Sequence, residues 1–392
     1  MTRCAASSRD AAVRSSRPGE AARCRGCAGT DLAPVLDLGT VAAADDFPPA
    51  GTPVDPAETA HPLAMLRCAE CGLAQLARDD TVTREPRGVE PRALRDQAAD
   101  AVARVADSGL LRGSTAREFG SPHGGSWLPL LTGRGFEITE SRADLVIDCF
   151  GIMHEPDQRA AFARRAAAVG PDGVLLLQYH SLRAIVRLGQ WNALRHGHFG
   201  YYTLPVLSGL LGAAGMSVAH AWEFDLYGGT VLLAAVHGAA APGESVRRIA
   251  AAEAAATDLD AVRGLQRAAD AHALALRTGL ERELAAGRTV FAYGAASRAV
   301  GLFCRAGLHR GLLAGVADAS PAKWGRRMPG TDIPIIAPGE LVAADPDRVL
   351  LTVPDLLAEV TEQYPELNGR WILDGAEPHD IANRTTLHGH SR

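Results

Sequence analysis

The clearest chemistry in this sequence is four cysteines in two Cys-x-x-Cys pairs, Cys24 with Cys27 and Cys68 with Cys71. One tight turn can present two sulfurs to one side of an ion, and a second turn completes a tetrahedral shell. A closed four-thiolate shell keeps no open position for substrate, so the expected metal is a structural zinc. Further along, His196, His198, Tyr201 and Tyr202 fall within a span of seven residues. A histidine that titrates near neutrality can remove a proton from carbon beside a ketone. Neighbouring phenols can hydrogen-bond the resulting enolate oxygen. The competing reading of this segment is ordinary packing.

Three glycine-containing loops follow apparent strands. In EFGSPHGGSW, Gly120, Gly124 and Gly125 would let backbone approach a nucleotide, with Glu137 or Glu140 as the acid for ribose hydroxyls. A tight turn without ligand explains the same residues. In YGAAS and GVADASPAKWGRRMPGTDIPI, Ser297, Arg298, Lys323 and Arg326 follow strands of a second α/β set, where phosphates would meet them. Solvated loop charge is the alternative there.

The elements that must carry these residues alternate. ADLVIDCFG, DQRAAFARRAAAVG and GVLLLQYH read as strand, amphipathic helix and strand, and a second such set begins at RTVFAYGAAS. Between them, residues 243–287 form a long Ala/Arg-rich helical stretch. The expected class is α/β, with a small N-terminal zinc-binding module, a shortened central Rossmann-like domain, a helical connector and a C-terminal Rossmann-like domain. The expected divisions are a flexible extension at 1–20, a loop-rich zinc module at 21–85, the central domain at 86–240, the connector at 241–287 and the last domain at 288–392.

A chain of 392 residues with net charge -5 and 47% hydrophobic residues is globular in composition. The acidic balance argues against a nucleic-acid partner. No apolar run is long enough for a membrane span, and the Arg- and Ser-containing N-terminus has no secretory core. A cytoplasmic location is expected, and the oligomeric state is open. Lys323 is the single lysine of the chain, a skew that reflects codon usage more than chemistry.

The order of motifs resembles the sugar C-methyltransferases of deoxysugar biosynthesis, which act on dTDP-4-keto sugars. The resemblance runs from about residue 21 to 385. It is carried by the four cysteines with GLAQL following, HEPD at 154–157, PDGVLLLQ, HFGYYTL at 198–204, YGGTVLL, YGAAS and DASPAKWGRRMPGTDIPI. It implies a zinc domain, an S-adenosylmethionine (SAM) domain and a C-terminal α/β domain, with the dTDP-linked keto-deoxysugar between them. It places His198 on the family's general base, His154 in the substrate site, and Tyr293, Gly294, Ser297, Arg298, Asp318, Lys323 and Arg326 on the nucleotide-sugar loops.

The departures are specific. Arg195 and Gly197 stand where the family has Tyr and Glu, and Phe150 where it has Asn. The segment near residues 80–90 has no Tyr. Between Phe136 and Ala143 most of the ribose- and adenine-holding strand and helix are missing. A cofactor without its pocket wall loses contacts and desolvation together. The sequence-based expectation is therefore SAM-independent epimerisation or isomerisation of a dTDP-ketosugar, with His198 as base. The alternatives are a SAM-dependent C-methyltransferase and a catalytically inactive binding homologue.

Overall fold

The computed structural model describes residues 22–81, 89–120 and 124–374. The expected extension at 1–20 and the centre of the glycine loop, 121–123, lie outside the described residues. Three sheets organise the rest. The first is antiparallel, with strand order Leu32–Val41, His61–Cys68, Ala74–Leu76 and Gly200–Tyr201. The sequence suggested a loop-rich module here. Its first strand carries a proline and a glycine, with register shifts between Pro34 and Leu36 and between Asp37 and Thr40. Such irregularities break the alternation by which strands are recognised.

The second sheet has the order Glu137–Ile138, Thr115–Phe119, Ala143–Cys149, Val169–His180, Thr230–His237, Met216–Phe224. The first four strands run parallel, and Thr230–His237 is antiparallel to both neighbours. Leu145, Val146, Ile147 and Leu175–Leu177 are fully buried, as expected of strands covered on both faces. At its edge the sheet is cut short. Glu137–Ile138 is two exposed residues, and only residues 139–142 separate it from Ala143, with no helix.

At the far end of Ala143–Cys149, the buried Asp148 accepts from the amides of Gly151 and Ile152 and from the guanidinium of buried Arg165. This pair fixes the turn through Phe150. Arg165→Ala would strand the carboxylate, and we expect a loss of about 3–5 kcal/mol, measurable by chemical denaturation. Full stability in that variant would show that the turn stands without the pair.

The third sheet is parallel throughout, in the order Ile335–Ile336, Val316–Ala317, Val290–Tyr293, Arg348–Leu351, Trp371–Leu373. The connector is two helices, Glu244–Ala256 and Leu259–Ala285. Val262, Leu265, Ala269 and Ala273 of the longer helix share one core with Leu36 and Leu38 of the first sheet and with Val300 and Phe303 of the last domain. Burial along this helix thus ties the first and third sheets together. Among the described residues, no helix is long and apolar enough to cross a membrane.

Candidate active site

The four cysteine sulfurs lie within 4.8 Å of one another, with Cys24 to Cys71 at 3.5 Å and Cys27 to Cys68 at 3.6 Å. Tetrahedral thiolates about 2.3 Å from zinc sit about 3.8 Å apart, whereas a disulfide needs about 2.05 Å. The amides of Gly26 and Gly29 donate to the sulfurs of Cys24 and Cys27, as the turns of a zinc knuckle do. The donor set fits zinc and leaves no position for a substrate.

The zinc module also holds a second segment in place. Ala74 and Gln75 pair with Tyr201 and Gly200. Arg25, inside the first Cys-x-x-Cys turn, donates to the Pro156 carbonyl and lies over the Phe199 ring at 4.8 Å. The Gly197 amide donates to Asp79 at 2.7 Å, and the His198 amide to the Arg195 carbonyl at 3.3 Å. Gly197 sits at φ 79°, a conformation that disfavours side chains with a Cβ. The result is a tight turn, Arg195–His198, pinned to the metal module.

That turn faces a cavity of about 380 Å³ between the second and third sheets. The carboxyl ends of parallel strands open onto it, which is where ligands bind in such folds. Its lining includes His198, Arg195 and Tyr201 on one side and Tyr293, Gly294, Ser297, Arg298, Asp318 and Lys323 on the other. Arg195 Nε donates to His198 Nε2 at 2.9 Å. That nitrogen accepts from the guanidinium. The Arg195 guanidinium has buried Asp45 as its counter-charge at 3.9 Å. His154 stacks edge-on to His198 with ring centroids 4.7 Å apart, outside the cavity lining.

The other expected residues are placed differently. His196 is turned toward the Pro62 carbonyl at 3.2 Å, outside the lining, and burial pushes its pKa down. Tyr202 is also outside, its hydroxyl donating to Gln158 Oε1 at 2.6 Å. Tyr201 lines the cavity, but its hydroxyl accepts from the Arg195 amide and donates to the Ala193 carbonyl, so its own loop uses it.

On the third sheet, Gly294 has φ 98°, and a Cβ there would lie 2.6 Å from Thr352 Oγ1, so only glycine suits this strand end. Asp318 accepts from the amides of Ala295 and Ser320 and braces both loops. Lys323 is buried. Its Nζ donates to the Ala295 carbonyl at 2.8 Å and lies 5.2 Å from the Phe47 ring. Arg326 donates to the carbonyls of Phe47 and Ala322, away from the cavity. These two cations bind the third sheet to the zinc module.

On the cofactor side, the cavity reaches Glu90, Glu118, Gly124, Gly125 and Trp127. Glu118 accepts from the Ser126 hydroxyl and the Trp127 amide, and burial pushes its pKa up. A Cβ on Gly120 would meet nothing within 4 Å, whereas one on Gly125 would lie 2.3 Å from a Glu90 oxygen. Among the described residues, the edge strand beside this loop is two residues long and no helix lies between it and Ala143.

Residues 24–85 match the family described as a putative zinc binding domain, and residues 225–374 the C-methyltransferase C-terminal domain. The chain is C-methyltransferase-like, with an N-terminal zinc-binding module. It is 28% identical over 249 residues to the C-methyltransferase NovU of Streptomyces niveus, a match covering 61% of this chain and 58% of that protein. Among solved structures it is similar to the magnesium protoporphyrin IX methyltransferase of Synechocystis PCC 6803 with bound SAH. That match has 16% identity and a TM-score of 0.28, and it covers 37% of this chain and 84% of the other. A second is the 1,6-didemethyltoxoflavin-N1-methyltransferase of Burkholderia thailandensis, at 15% identity and a TM-score of 0.30, covering 44% and 97%.

Sequence reasoning missed His180, Asn192 and Tyr227, all of which line the cavity of this C-methyltransferase-like chain. His180 ends the strand Val169–His180, and its position at a parallel strand's carboxyl end was the available signal. Arg195 and Phe150 were noted only as departures, yet both line the cavity. Phe150 and Tyr227 hold positive φ values of 61° and 56° with rings 6.0 Å apart. Strained residues of this kind collect at binding sites.

Proposed function

We propose that this chain is an enzyme that enolises a dTDP-linked 4-keto sugar, with His198 as general base. The observation that carries the reading is the single cavity that brings His198 and Arg195 opposite the strand ends of the third sheet. With Arg195 turned from His198 Nε2 to the ketone oxygen, His198 would take the proton from carbon beside the ketone, and the electron pair would move onto that oxygen. Arg195, beside the base, is the cation available to the developing enolate. Ser297 and Arg298 would hold the nucleotide-sugar on the opposite wall.

The family match supports C-methylation as the outcome. SAM, when bound, supplies an electrophilic methyl group, and Gly120, Gly124 and Gly125 are the residues suited to its polar end. The second reading, return of a proton with epimerisation or isomerisation, is favoured by one observation: the two-residue edge strand Glu137–Ile138, with no helix between it and Ala143. Both readings share every step performed by His198 and Arg195.

Incubation with a dTDP-4-keto-6-deoxysugar in D2O without SAM is expected to place deuterium on the carbon beside the ketone. Mass spectrometry after adding SAM then separates the readings. A gain of one methyl group supports transfer, and unchanged exchange with no SAM binding by calorimetry supports proton return. Absence of deuterium in both conditions would sink the assignment of His198 as an enolising base.

A further inference from the structure

Two aspartates stand side by side in the loop that follows the strand Leu32–Val41, and they meet opposite fates. Asp46 is exposed, whereas Asp45 is only 6% exposed. The loop is held down from the third sheet. The Arg327 amide donates to the Pro48 carbonyl at 2.8 Å, Arg326 donates to the Phe47 carbonyl, and Lys323 lies over the Phe47 ring. A carboxylate taken out of water needs a cation or a set of donors. Among the described residues, the cation paired with Asp45 is Arg195, whose Nη1 lies 3.9 Å from Asp45 Oδ1. Arg195 is itself buried, and Nε of the same guanidinium donates to His198 Nε2. One guanidinium thus serves both a buried carboxylate and the proposed base.

The geometry separates this pair from a bolt that merely holds the fold. Arg327 and Glu58 show what such a bolt looks like. Arg327 donates from both terminal nitrogens to the two Glu58 oxygens, and also to the carbonyls of Thr52, Pro53 and Thr331. Asp45 Oδ1 instead has no hydrogen-bond partner, and 3.9 Å is beyond hydrogen-bond reach. The attraction between Asp45 and Arg195 is therefore Coulombic, and it tolerates rotation of the guanidinium. The charge stays at the site while its N–H groups turn from His198 to the ketone oxygen. Arg195 and His198 line the cavity, and Asp45 does not.

We propose that Asp45 is a positioning residue: it holds the Arg195 charge beside His198 and so sets the rate of proton removal, without touching the substrate. This rests on the enolisation reading above and adds a residue which that reading did not use.

The test follows deuterium uptake from D2O by a dTDP-4-keto-6-deoxysugar against pH and substrate concentration. Asp45→Asn keeps the side-chain shape and removes the charge. It should lower kcat for exchange by about tenfold or more, since a misplaced group costs rate, and leave KM nearly unchanged. It should also move the acid limb of the profile to lower pH. Arg195, His154 and Tyr201 are the described ionisable groups against the His198 ring. Without Asp45, the Arg195 cation acts against protonation of that ring with nothing to offset it. In an Arg195→Met background, Asp45→Asn should cost little further kcat, because residues that act through one another do not add. Asp45→Asn kinetics like the parent, a change in KM with kcat and limb unmoved, or an equal loss of kcat with and without Arg195 would each overturn the assignment. Should Asp45→Asn alone be too unstable to assay, thermal melting of the other two variants decides. Arg195→Met strands the carboxylate and should melt lower than the double variant, and equal melting overturns the pairing. A parent chain that takes up no deuterium would instead overturn the enolisation reading itself, so the two failures are told apart.

Discussion

Replacing His198 by Ala is expected to remove deuterium uptake at the carbon beside the ketone, by about 100- to 10,000-fold, while sugar-nucleotide affinity stays nearly intact. The size follows from what the residue does. A positioned base is needed for the proton transfer itself, whereas the ligand is held mainly by the opposite wall. His198 is 9% exposed and sits at the end of a turn fixed by the Gly197–Asp79 and His198–Arg195 backbone bonds. Its Nε2 accepts from Arg195 Nε at 2.9 Å. Truncation to Ala removes the base without removing the turn, so circular dichroism and melting temperature should hardly change. Exchange at the parent rate in His198→Ala would end the case for this residue. His196→Ala is the matched control, because His196 faces Pro62 and not the cavity, and it should keep exchange activity.

That contrast shows where sequence reasoning worked and where it stopped. The Cys-x-x-Cys spacing is a local property, since a turn of four residues decides where two sulfurs point, and the four sulfurs do converge. Strand–helix alternation was also readable from buried runs such as Leu145–Ile147 and Leu175–Leu177. The shortened edge at Glu137–Ile138 was visible as a count of residues too few for a helix and a strand. Which side chain of HFGYYTL or RHGH meets the cavity was not readable. Tyr201 and Tyr202 are adjacent, yet one lines the cavity and the other packs against Gln158, because Tyr201 is paired with Ala74 whereas Tyr202 bridges Ser181, both from distant parts of the chain. His180 and Arg298, from different sheets, line one cavity only once the chain is folded. Lys323, conspicuous as the single lysine, proves to be a brace between Ala295, Asp318 and the Phe47 ring.

The dependence of the base on the metal module leads to the second large effect. Cys68→Ser is expected to lower bound zinc well below one ion per chain, to destabilise the protein by several kcal/mol, and to cut exchange activity by at least about tenfold. Cys68 is wholly buried at the end of the strand His61–Cys68, which pairs with Leu32–Val41 on one side and Ala74–Leu76 on the other. Ala74–Leu76 in turn pairs with Gly200–Tyr201, two residues beyond His198. Arg25 and Asp79 reach the same segment from either side of the cluster. Loss of the shell should therefore displace the base, and a misplacement of about 1 Å can cost about 100-fold in rate. Cys304 supplies the comparison. It lies in the core shared with the third sheet, far in sequence from the shell, and its thiol faces the Pro329 carbonyl. Cys304→Ser should keep zinc and activity. If Cys68→Ser retained full zinc by metal analysis, or lost zinc and kept the parent exchange rate, the coupling from metal to base would be wrong. A chelator should reproduce the Cys68→Ser result on the unmodified chain, and restoring zinc should return activity.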